Sequence, residues 1–176
     1  VDNPTGLKIE NPTTLTPADA AACLRPARPR VIIGMYKETW QTIKPPDFAN
    51  GDPIAEVEIE GVGFATLLKR STLFIHEFMN FGVYPNTLNS DLVKFTAQNG
   101  DELHGTFVGL GMTDESGEPG NTQFEGSITF TGGTGQFYGA TGAAKAWGEG
   151  LTDLATGTGE GWMQLKGYVL LKLLSI

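Results

Sequence analysis

The feature that most limits how this chain can fold is its succession of short β-type runs, each ended by glycine, proline or asparagine, with no helical period sustained over several turns. The clearest run, Ala55-Glu56-Val57-Glu58-Ile59-Glu60, alternates strictly. It puts Ala55, Val57 and Ile59 on one face and the three carboxylates on the other, as a half-buried strand requires. Val31 to Tyr36 is rich in branched and aromatic residues and precedes a Pro45-Pro46 loop. Gly61-Val62-Gly63 is expected to bend the chain into Phe64 to Leu68. Further runs follow at Leu73 to Phe81, Asp91 to Ala97, Leu103 to Val108, Gln123 to Phe130, Ala140 to Gly150 and Gly157 to Ile176. Asn99-Gly100, between two alternating runs, is a hairpin signal, because both residues tolerate positive φ.

About eight strands at near-regular spacing predict an all-β sandwich or barrel. An eight-stranded antiparallel β-barrel is the better expectation: the 24 glycines fall partly inside strands, where tight curvature needs them, and closure removes exposed edges. A chain of 176 residues can bury roughly 70% of its unfolded surface, enough for one core. The barrel domain is assigned to residues 31–176, after an extended N-terminal arm over residues 1–30 that carries five prolines. In the arm, Thr16 as cap and Pro17 at the first helical position allow a short helix over Ala18 to Leu24.

The net charge of −8 repels phosphate backbones and anionic head groups, so neither nucleic acid nor membrane is expected as a partner. No apolar run reaches the roughly 18 residues of a membrane-spanning helix. Cys23 is the only cysteine, which excludes an intrachain disulfide and a cysteine-based metal site. The start at Val1 rather than Met suggests a leader already removed and hence a secreted or periplasmic protein, with the cytoplasm left open.

Residues 124–142 read Phe-Glu-Gly-Ser-Ile-Thr-Phe-Thr-Gly-Gly-Thr-Gly-Gln-Phe-Tyr-Gly-Ala-Thr-Gly. The Gly132-Gly133-Thr134-Gly135 corner, Phe137 and the Gly139-Ala140-Thr141-Gly142 step resemble the allene oxide cyclase and dirigent-like barrel superfamily. The Phe95 to Leu103 hairpin and the Thr156-Gly157-Thr158-Gly159 turn are similar to those of its bacterial members, many of them exported. The resemblance covers roughly residues 60 to 170. It implies an eight-stranded barrel, often trimeric, and enzymes that enclose an apolar substrate and guide its ring closure by shape, without a cofactor.

Glu77 and His76 are the candidate catalytic residues. Neighbours on a strand face opposite ways, so only one looks inward; an inward Glu77 would have its pKa raised by desolvation and would suit general acid or base work. Glu102 and His104 share a strand face near the barrel rim, but two histidines without a close ligand pair define no metal site. No Gly-x-Ser-x-Gly elbow or phosphate loop is present. Tyr36, Phe64, Phe74, Phe107, Tyr138, Trp147 and Trp162 are the candidate ligand-binding residues, able, with Trp40, to line a cavity or to fill a solid core.

The leading expectation is a barrel that encloses a small hydrophobic molecule, as a binding protein or as a cofactor-free cyclase or isomerase, with the arm placed as a lid. The alternative is an exported structural or adhesive module with a solid barrel. It would self-assemble through the C-terminal strand Tyr168 to Ile176, which is apolar on both faces except at Lys172; under either reading a homo-oligomer, dimer or trimer, is expected.

Overall fold

The computed structural model describes residues 28–117 and 119–172. Eight strands follow one another around a closed barrel: β1 (Arg28–Lys44), β2 (Ile54–Ala65), β3 (Lys69–Asn80), β4 (Asn86–Ala97), β5 (Glu102–Asp114), β6 (Gly120–Gly133), β7 (Thr141–Asp153) and β8 (Thr158–Leu171). Each pairs antiparallel with the next, and β8 closes on β1 from Arg28↔Leu171 to Gln41↔Thr158. The expected all-β barrel is the observed fold. The arm up to residue 27, with its short helix, Cys23 and its role as a lid, lies outside the described residues, as do residues 173–176 at the C-terminus. β1 itself begins at Arg28, inside the span assigned to the arm.

Alternation sorts the side chains. On β1, Ile32, Tyr36 and Glu38 are buried, while Val31, Ile33, Met35 and Lys37 between them are exposed. The interior is filled unevenly along the axis. At the end holding the β2–β3, β4–β5 and β6–β7 turns, Tyr36, Phe95 and Phe130 meet in sequence, tilted and then edge-on, with ring centroids 5.4 and 6.4 Å apart. Each such contact adds about 0.5–1.5 kcal/mol beyond the area buried. Leu68, Leu103, Leu165 and Val169 complete a solid plug with Phe137, which sits in the 3-10 turn Gly135–Phe137 between β6 and β7. The Tyr36 hydroxyl is satisfied there by Ser71 Oγ at 2.7 Å, and burial pushes its pKa up to about 12.

Two details differ from the sequence reading. Gly61 and Gly63 do not separate two strands; both lie within a continuous β2. Gly63 is needed because the barrel wall passes over Tyr36: a Cβ there would fall onto the Met35 carbonyl and within 2.8 Å of the Tyr36 ring. In the Asn99-Gly100 hairpin only Gly100 takes positive φ, at 86°, and the Ala97 N–H donates to the Asp101 carbonyl at 2.8 Å.

The glycine corner after β6 is a lock between strands. The Glu102 N–H donates to Thr134 Oγ1 at 2.9 Å and the Thr134 N–H returns to the Glu102 carbonyl at 2.8 Å. A Cβ on Gly133 would fall onto that same carbonyl oxygen. Gly133→Ala is therefore expected to destabilise the fold by about 2–3 kcal/mol, the cost of overpacking against backbone. Chemical denaturation checks this, and a loss within experimental error would show that the corner does not constrain the barrel.

Candidate functional site

The other half of the barrel is hollow. A cavity of about 560 Å³ opens at the end that carries the β1–β2, β3–β4, β5–β6 and β7–β8 loops. That volume falls within the roughly 300–1,000 Å³ usual for small-molecule sites. Small residues at Ala55 on β2, Gly111 on β5 and Gly150 on β7 are among those that line it. Trp40, Ile59, Met79, Phe107, Phe124 and Met163 supply most of the apolar wall. Near the mouth a chain of hydroxyls runs across three strands, Thr113 Oγ1 to Thr122 Oγ1 at 3.1 Å and on to Thr152 Oγ1 at 2.6 Å.

Two carboxyl side chains project into this apolar space. Glu38 follows Tyr36 on the inward face of β1 and is 2% exposed; Glu77 on β3 is 4% exposed. Glu77 follows Ser71, Leu73 and Ile75 in the regular inward alternation of β3, and its partner strand carries a bulge opposite it. His76 pairs with Leu92 but Glu77 with Ser90, so Asp91 is an extra residue in β4. The bulge changes the phase of β4, so that both Ser90 and Val93 are buried, and Ser90 Oγ accepts from the Phe107 N–H at 2.8 Å. Asp91 is turned outward, where its carboxylate meets His76 Nδ1 at 2.9 Å.

Burial disfavours the charged form of both acids. Glu77 is raised from 4.5 to about 7 by desolvation. Glu38 is raised to about 8, first by desolvation and then by the charge of Glu77, so the second ionisation is the harder one. Glu38 Oε1 is fully buried without a hydrogen-bond partner. Near neutral pH the pair therefore holds a proton on at least one carboxyl, which makes one group a donor while its neighbour can accept.

The expected site residues separate into two groups. Glu77, Phe107 and Tyr36 face inward, although Tyr36 belongs to the plug and does not line the cavity. His76 faces outward, between Asp91 and Glu56, so it does not share a chamber with Glu77. Phe64, Phe74, Trp147 and Trp162 occupy outward positions of their strands, and Tyr138 is 67% exposed in the β6–β7 turn; none lines the cavity. Glu102 and His104 do share a face, with a 2.7 Å contact on the outside of β5. The hydrogen bond from His104 lowers the Glu102 pKa. Trp40, an aromatic that the sequence reading also offered as a possible cavity residue, does line it, whereas Glu38 was missed. The signal was present: alternation from Ile32 continues through Tyr36 to Glu38 and Trp40, before the Pro45-Pro46 loop.

Fold and site together define a closed antiparallel eight-stranded barrel, plugged at one end and hollow at the other, with a pair of buried carboxyls inside. No family model, curated protein or solved structure matches the chain.

The pair makes stability depend on pH. Both carboxyls bind protons more tightly folded than unfolded, so their stabilising effect is present below the unfolded value of 4.5. It is lost as pH rises through about 7 and 8. Glu38→Gln is expected to flatten this decline and to stabilise the fold at about pH 9 by on the order of 2 kcal/mol. Denaturant midpoints across the pH range test it; an unchanged slope would mean that Glu38 ionises like an exposed carboxylate.

Proposed function

We propose that the hollow half of the barrel is a binding chamber for a small hydrophobic molecule, and that Glu38 and Glu77 engage a polar group of that molecule. One observation carries this reading: an apolar cavity of about 560 Å³ with two buried carboxyls inside it. A solid structural barrel gains nothing from desolvating two acids, because each raised pKa is stability forgone at neutral pH. Such strain concentrates at functional sites. In a carrier, the pair orients the ligand. In a cofactor-free cyclase or isomerase, the walls hold a flexible substrate near its reactive conformation, and the protonated carboxyl donates while the ionised one accepts. The closed eight-strand meander and the glycine corner support a relation to allene oxide cyclase and dirigent-like barrels.

A second reading, self-association as a homo-oligomer, is favoured by the outer surface of neighbouring strands β8, β1 and β2. There Tyr168 pairs with Val31 and Met35 with Phe64, and Ile33 and Val62 are also exposed. Sedimentation at increasing concentration tests it: Met35→Glu should shift an oligomer to monomer, and a wild-type chain that stays monomeric removes this reading.

The chamber itself is tested with a neutral fluorescent apolar probe. Val57→Trp, which fills the cavity from β2, is expected to weaken probe binding by about tenfold or more. Phe64→Ala, on the outside of the same strand, should leave it unchanged. Equal loss in both variants, or no binding by the wild-type chain, would overturn the proposal.

A further inference from the structure

The walls of the chamber bear on the chemistry of its occupant. Among the described residues, the ionisable side chains that project into it are both acidic, Glu38 and Glu77; Glu115 lies toward the open end, and no described lysine, arginine or histidine lines it. The nearest cations by sequence lie on the other side of the sheet and are already engaged. Lys37 meets Glu160 at 3.1 Å, Lys44 meets Asp52 at 3.1 Å, and His76 meets Asp91 at 2.9 Å. None reaches the interior acids, and Glu38 Oε1 is left buried without a donor. A buried acceptor in that state forfeits its hydration with no return, at a cost of about 1–3 kcal/mol, and an ionised one costs more.

Resting on the binding chamber proposed above, we propose that its ligand is a lipophilic amine, an apolar body with one basic nitrogen that docks between Glu38 and Glu77. An ammonium group supplies the N–H donors and the positive charge that both acids lack, taking the place of the proton they hold in the empty chamber. An alcohol supplies one donor and no charge. A carboxylate ligand adds a third like charge to a pair whose members already repel. The apolar wall accommodates the body of the molecule, and Trp40 and Phe107 in it favour a neighbouring cation. The chain's net charge of −8 attracts the same class of ligand and repels fatty acids.

The test is displacement of a bound neutral probe, 1-anilinonaphthalene, from the full chain by decylamine, decanol and decanoate at about pH 8, where the amine is charged. Decylamine is expected to displace the probe at concentrations at least about tenfold lower than either of the others. In the double variant Glu38→Gln, Glu77→Gln the three ligands should converge to within about threefold while the probe still binds. Decanol or decanoate equalling decylamine on the wild-type chain overturns the proposal, as does a preference that survives the double substitution. Should the double variant fail to fold, as judged by circular dichroism, the wild-type ranking decides alone. Failure of the probe to bind the wild-type chain is a different result: it removes the chamber reading on which this one stands.

Discussion

Closing eight strands into one barrel sends every second residue of every strand into a single shared interior, and the volumes of those residues decide what the molecule is. Near one end the inward positions hold Tyr36, Phe95, Phe130 and Phe137, and nothing is left to fill. Near the other, where Ala55, Gly111 and Gly150 are among the lining residues, about 560 Å³ stays open. The plug fixes the shape of the wall, and the wall holds the chamber open without support from within.

The electrostatics of the chamber follow from this division. A carboxyl at the rim of a barrel is solvated, but Glu38 lies two residues from Tyr36 on the same face and so sits next to the plug, away from the mouth. Glu77 is brought into the same interior by β3, beside the bulge at Asp91. Water that would solvate either group is restricted by the apolar walls, and the two acids disfavour each other's ionisation. The same geometry that makes the pair costly near neutral pH equips it to exchange a proton or to receive a cation.

Much of the fold was legible in the sequence because closure imposes a strict pattern. Alternation at residues 55–60, the Asn99-Gly100 turn and the glycine corner at 132–135 are local signals that tertiary packing reinforces. The site was less legible. Which aromatics point inward depends on the phase of each strand, and a bulge such as that at Asp91 shifts the phase with no mark in the sequence. Phe64 and Trp147 read as lining residues by composition, yet their neighbours Ala65 and Ala146 are the buried ones. Glu38 was missed for a different reason: the branched and aromatic run Val31 to Tyr36 stops short of it, and the alternation was not followed on toward Lys44. Extending the alternation from Ile32 is enough to place it inside.

The account rests on the two interior carboxyls being held well above their ordinary range, and carbon-detected NMR titration of the glutamate side chains reads this directly. Two glutamate Cδ resonances, assigned through Glu38→Gln and Glu77→Gln, should titrate near 7 and 8. Glu102, on the outer face, should instead titrate below its ordinary range, held there by the hydrogen bond from His104. Both resonances moving with the surface carboxylates would contradict the account, because the acids would then be hydrated and the inner end of the chamber would not be the apolar space described.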